Sequence, residues 1–143
     1  MRQRVRGFTL LELMIVVAVI AILARIALPM FIEQLRKGKR SEAIQAIGDI
    51  QLREEKWRSF TATYATAASV FGSAAQVTAY NSGLKYYDIT IPTNTTTSYS
   101  ITATRKGQLA NDPKCGDFTM AVAAGVSNYD VTAGDKDYCW RKK

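Results

Sequence analysis

The 143-residue chain contains no histidine, which removes the commonest general base and the commonest metal ligand at one stroke. It has only two cysteines, Cys115 and Cys139, too few for a structural zinc site of thiolates alone. No glycine-rich phosphate loop, metal-ligand cluster or nucleophile–base pair stands out at a spacing that chemistry would use, so no catalytic residue, no metal and no cofactor is expected. Only three prolines are present, and one of them, Pro29, falls in the most apolar part of the chain. The net charge is +7, but Arg2, Arg4 and Arg6 stand together before Gly7, and the rest of the chain is only mildly basic. Such a balance does not by itself indicate a nucleic-acid-binding domain.

What the chain does have is one long hydrophobic run near its start. Leu13 to Ala24 is apolar without exception, Arg25 interrupts, and Ile26 to Ile32 continues. As a helix, Phe8 to Ile32 would extend roughly 37 Å, slightly more than a bilayer core. Arg25 lies near the far end, from which its long side chain can snorkel outward. Pro29 removes one helical hydrogen bond, and a kink is expected there. A carboxylate, Glu12, sits just inside the run, where an unpaired charge is costly.

Three explanations compete for this segment. A cleavable secretory signal needs small residues in an A-x-A pattern after the apolar core, but Ala24 and Ala27 are offset by three. A simple anchor gives no reason for Glu12. Cleavage after Gly7 does give one. It would expose an α-amino group on Phe8, mostly protonated near neutral pH, which can neutralise Glu12 of another copy.

Beyond Ile32 the chain becomes amphipathic. Arg36, Lys37, Lys39 and Arg40 form a basic patch that reads as lipid-facing or solvated. Ala43, Ile44, Ile47, Ile50, Trp57 and Phe60 recur at helical spacing, which predicts one apolar face and a helix continuing from Phe8 to about Arg58. Glu54 and Glu55, among Arg53, Lys56 and Arg58, read as a solvated charge pattern. Residues 61–83 read as a connecting loop with one short helix. Alternation over Tyr86–Ile91 and Tyr99–Thr104 predicts a hairpin with Tyr87, Ile89, Ile91, Tyr99, Ile101 and Ala103 on its inner face. Phe118–Val122 reads as a third strand and Gly125 as a turn. A fourth strand falls either at 128–131 or at 138–140. The two cysteines would pair in an exported domain, closing a loop of about 25 residues, and would stay as free thiols in a cytosolic one.

Gly7-Phe8-Thr9-Leu10-Leu11-Glu12, the following apolar helix and Pro29 resemble the N-terminus of type IV pilins and pseudopilins. The Cys115-Gly116-Asp117-Phe118-Thr119 stretch, with the late Cys139-Trp140-Arg141, resembles the PilE-type minor pilins of that family. The resemblance implies an α+β pilin fold, a long N-terminal helix packed on a small antiparallel sheet of about four strands. It implies a leader over residues 1–7, a transmembrane and filament-core half over 8–32, and a periplasmic head over 33–143. Gly7 and Phe8 become the prepilin peptidase cleavage site, Phe8 the site of N-methylation and Glu12 the assembly carboxylate.

The implied partners are other pilins, through the N-terminal helix, the prepilin peptidase, and the bacterial inner membrane before assembly into a cell-surface pilus. A small-molecule substrate is not expected, and nucleic acid ranks last. The leading expectation is a minor pilin that helps prime assembly and enters a fibre used for adhesion, twitching motility and DNA uptake. Alternatives are the major pilin of the same fibre and a type II secretion pseudopilin.

Overall fold

The computed structural model describes residues 7–141. It divides into two compact units that part after Leu35. Helix α1 spans Leu10–Arg58 and so contributes to both.

In the first unit, α1 begins with a side-chain cap. The hydroxyl of Thr9 accepts from the Glu12 amide at 3.2 Å, which satisfies one of the orphan donors of the first turn. Nearly every apolar side chain from Phe8 to Leu35 is exposed. The most apolar window of α1 has a mean hydropathy of 2.7, and none of it is buried. Among the described residues this is the one helix long and apolar enough to cross a membrane. The helix continues through Pro29. Because Pro29 has no N–H, the Arg25 carbonyl one turn back receives no helical donor from it.

The second unit is the head. The latter part of α1 lies on a four-stranded antiparallel sheet of β1 (Tyr87–Asn94), β2 (Ser98–Arg105), β3 (Phe118–Ala123) and β4 (Val126–Val131), in the order β1-β2-β3-β4. This is the α+β arrangement expected. Every strand follows its neighbour in sequence, so the sheet needs no crossover. The inner-face assignments hold: Tyr87, Ile89, Tyr99, Ile101 and Ala103 are buried, with Ile91 half-buried, and Phe118, Met120 and Val122 join them from β3. These residues pack against Ala43, Ala46, Ile47 and Ile50 of α1. The β1–β2 register slips between Thr90 and Thr93, at Pro92, which β1 tolerates because it is an edge strand. Ala124 and Gly125, both at positive φ, make the β3–β4 turn.

Residues 61–83 hold two short helices rather than one, α2 (Ala67–Phe71) and α3 (Ala74–Gly83). Thr66 and Ser73 supply their caps through the amides of Ser69 and Gln76. The fourth strand is the first of the two candidates. Residues 138–140 belong instead to a closing helix, α4 (Lys136–Trp140), because Asp135 caps it by accepting from the Tyr138 amide at 2.7 Å.

Both sheet edges are blunted by side chains. The Asn81 amide donates to the Ile89 carbonyl at 3.0 Å and accepts from its N–H at 2.8 Å, standing in for a neighbouring strand on β1. On β4, the indole N–H of Trp140 donates to the Asp130 carbonyl at 2.9 Å. Edge groups covered in this way are poor templates for unwanted strand pairing.

Three readings of α1 need correction. Arg40 is buried with its guanidinium on Asp112, not lipid-facing or solvated. Glu54 is fully buried rather than part of a solvated pattern. The apolar stripe turns away earlier than expected, leaving Trp57 at the surface and Phe60 81% exposed.

Candidate functional site

Gly7, Phe8, Thr9 and Glu12 line one shallow surface depression at the start of α1. Phe8 is 80% exposed, and nothing lies close to where a side chain on Gly7 would stand. The Gly7–Phe8 bond lies outside α1, which begins at Leu10. An exposed peptide bond outside regular structure, with a small residue on its N-terminal side, is open to a peptidase. Arg2, Arg4 and Arg6 lie outside the described residues.

Glu12 occupies the first turn of α1 and is exposed. Thr9 and Glu12 are spaced as the two members of a capping box, and the Thr9 half of that box is formed. Sequence reasoning singles out Glu12 and misses Thr9. The signal available was the Thr-x-x-Glu spacing immediately before an apolar run. Gly7, Phe8 and Glu12 are thus brought together, whereas Pro29 and Arg25 lie several turns further along the same apolar unit.

In the head, Cys115 and Cys139 form a disulfide with an S–S distance of 2.08 Å and Cα atoms 5.9 Å apart. It ties α4 to the segment before β3. That segment packs closely on residues 132–134. The Gly116 N–H donates to the Ala133 carbonyl at 2.6 Å, and a Cβ on Gly134 would lie 2.0 Å from the Lys114 carbonyl oxygen. Trp140 next to the bridge is a packing residue, meeting Phe118 and Tyr129 edge-on at 5.1 and 4.9 Å between ring centres.

Two buried charged groups fix α1 to the connections around it. Arg40 donates from Nε and Nη2 to the two carboxylate oxygens of Asp112, at 2.6 and 2.7 Å. Burial alone would raise the Asp112 carboxyl, but Arg40 and the Lys114 amide outweigh it and hold it below its ordinary value. Glu54 is the opposite case. One of its oxygens accepts from the Ala65 amide at 2.9 Å and the other has no hydrogen-bond partner among the described residues. Burial pushes its carboxyl up, the Ala65 amide opposes this, and the neighbouring Glu55 adds to it. A third carboxylate, Glu42, accepts from three successive amides, those of Lys85, Tyr86 and Tyr87, and so anchors the entry to β1. Among the described residues no group of three or more acidic or cysteine side chains could hold a metal ion.

Comparison with known proteins matches these features at both ends. A family model for a prokaryotic N-terminal methylation motif matches residues 2–27. A second, described as type IV minor pilin ComP, DNA uptake sequence receptor, matches residues 29–119. The fimbrial protein EcpC of Eikenella corrodens is 31% identical over 144 residues, covering 98% of this chain and 83% of that protein. The type IV major pilin protein PilA of Myxococcus xanthus is 42% identical over 73 residues, covering 51% of this chain and 33% of PilA. A fimbrial protein of Neisseria meningitidis is 37% identical over 71 residues, covering 45% of this chain and 42% of that protein. The chain therefore spans well under half the length of the last two relatives. No solved structure matches it. With an apolar α1 that begins at a methylation motif, a helix-on-meander head and a disulfide that pins its last helix, the chain belongs to the type IV pilin family, the structural subunits of a surface fibre.

Proposed function

We propose that this pilin is a minor subunit, incorporated sparsely with other pilins and helping to prime assembly of the fibre at the inner membrane. The observation that carries the reading is the match of residues 29–119 to a minor-pilin family model. The experiment is deletion of the gene, with subunit counting in sheared pili from the parent strain. The expected result is far fewer pili on deletion and a small fraction of this chain in wild-type fibres. If it is the most abundant subunit, it is the major pilin. If pili are unchanged and protein secretion fails, it is a secretion pseudopilin.

In this reading the leader of residues 1–7 is cut after Gly7 by the prepilin peptidase, and the new Phe8 amine is methylated. Methylation keeps the positive charge. Residues 8–32 hold the chain in the inner membrane, with the 33–143 head in the periplasm, until they pass into the fibre core. There Glu12 meets the Phe8 amine of a neighbour. The exposed depression at Phe8 and Glu12 supports this, since it leaves both groups open to a second chain. Pro29 loosens the helix one turn after Arg25, easing the move from lipid to packed helices. Mass spectrometry of the mature chain tests the processing, with methylated Phe8 as the expected N-terminus.

A second reading concerns the head. The model that matches residues 29–119 is described as a DNA uptake sequence receptor, which favours a DNA-binding pilin. It requires head–DNA binding that weakens steeply with salt and prefers one short sequence over scrambled duplexes.

A further inference from the structure

The fold gathers cations that the sequence keeps far apart. Lys37 on α1, Lys114 before the first cysteine and Arg40 all lie over the ring of Tyr138, at 4.8, 5.6 and 5.7 Å from its centre. Arg141, in the left-handed conformation that ends α4, donates to the Lys37 carbonyl at 2.6 Å and so joins them. The disulfide holds the collar closed, because its two cysteines are the chain neighbours of Lys114 and Tyr138.

Two carboxylates close by are committed within the fold. Asp112 takes the Arg40 guanidinium and the Lys114 amide, and Asp135 caps α4. Asp137 lines a cavity with Lys136 and Trp140, beside β4. Lys114 and Arg141 are exposed and Lys37 half-buried, so the collar adds positive charge to a surface that already holds a tyrosine ring.

Lys37 follows Ile32 by only five residues of chain, a reach of at most about 18 Å. If Leu10–Ile32 spans a bilayer, that short tether keeps Lys37 within reach of the headgroups on the exit side. We propose that Lys37, Lys114 and Arg141, with Tyr138 between them, form a docking surface for the anionic phospholipid headgroups of that leaflet, holding the head on the membrane before assembly. Basic clusters next to a membrane helix, with an interfacial aromatic, are what such headgroups attract. The inference rests on the membrane reading of the apolar helix and adds a partner for the head.

The test uses the full chain in nanodiscs of pure phosphatidylcholine and of phosphatidylcholine mixed with phosphatidylglycerol, with hydrogen exchange read at residues 111–116 and 136–141. Exchange should slow in the mixed discs by about fivefold for each basic side chain that reaches the surface, and raised salt should reverse it. Replacing Lys37, Lys114 and Arg141 by alanine should abolish the difference between the two lipids. Arg141→Ala alone, which leaves the core untouched, should reduce it about fivefold. Equal exchange in both lipids overturns the proposal, as does slowing that persists in the triple variant. Protection by short duplex DNA but not by phosphatidylglycerol also overturns it, in favour of nucleic acid. Co-elution of the chain with the discs is scored separately, so failure to insert refutes the membrane reading and a null exchange result in inserted protein refutes only the docking surface.

Discussion

Removing the Asp112 carboxylate should unfold the head more readily than any surface change, and the cost can be worked from the contacts. The Arg40 and Asp112 side chains are 2% and 0% exposed. Asp112→Ala removes two charge-assisted hydrogen bonds and leaves a guanidinium buried with its principal partner gone. Breaking one side of a buried pair costs about 3–5 kcal/mol. The Lys114 amide also loses its acceptor, adding about 1 kcal/mol. A domain of this size has only about 5–15 kcal/mol in hand, and each kcal/mol moves its midpoint by about 4–8 °C. The midpoint of thermal unfolding of the detergent-solubilised chain, followed by near-ultraviolet circular dichroism, should therefore drop by about 15 °C or more. Arg40→Met with Asp112→Leu should return most of the loss, since an apolar pair avoids the desolvation, and should fall short of wild type only by the orphaned Lys114 amide. The pH dependence carries the same sign. Because the folded Asp112 pKa is lowered, its contribution is whole above the ordinary value of 3.8 and is lost as pH falls below it toward the lowered one. A drop of less than about 5 °C for Asp112→Ala, or a double variant no better than the single, would refute the assignment of this pair as the clamp between α1 and the segment leading to Cys115.

Glu54→Gln should be neutral or stabilising at neutral pH. The folded carboxyl titrates above its ordinary 4.5, so Glu54 makes stability fall as pH rises from there through its raised value, and the substitution should flatten that part of the profile in urea melts. Tyr87→Phe and Tyr99→Phe should each cost under about 1 kcal/mol or stabilise, because neither buried hydroxyl has a partner among the described residues; a larger loss by chemical denaturation refutes this. Gly134→Ala should destabilise strongly, since φ is +96° and the added methyl would strike the Lys114 carbonyl; a melting temperature equal to wild type would contradict the close approach of these two segments. Glu12→Val should leave the head's melting unchanged and sharply reduce entry into pili, measured as subunit counts in sheared fibres. Equal incorporation removes Glu12 from assembly.

The sequence showed clearly those parts of the fold that depend on repeating apolar position. Tyr87, Ile89, Tyr99, Ile101 and Ala103 alternate and are buried, and Ala43, Ile47 and Ile50 recur at helical spacing and meet them. What it hid were charges that burial turns into anchors. Arg40 sits at helical spacing from Ala43 and Ile47, on the face that is buried, but its charge groups it with Arg36, Lys37 and Lys39, and the partner that makes its burial possible lies 72 residues away. Glu54 continues the buried face four residues after Ile50, with the Ala65 amide on one of its oxygens, while Trp57 and Phe60 lie at the surface. The end of the chain was ambiguous for a different reason. Tyr138-Cys139-Trp140 suits a strand by propensity, and only the Asp135 cap and the tie to Cys115 make it a helix. At the N-terminus the balance reverses. Gly7, Phe8 and Glu12 stand out in the sequence because a carboxylate in an apolar helix has no local explanation, whereas Thr9 is recognisable only through its spacing from Glu12, as one half of a capping box. Arg25 is exposed in the apolar unit, one turn before Pro29, and its substitution by alanine should leave the thermal melting of the head as it is.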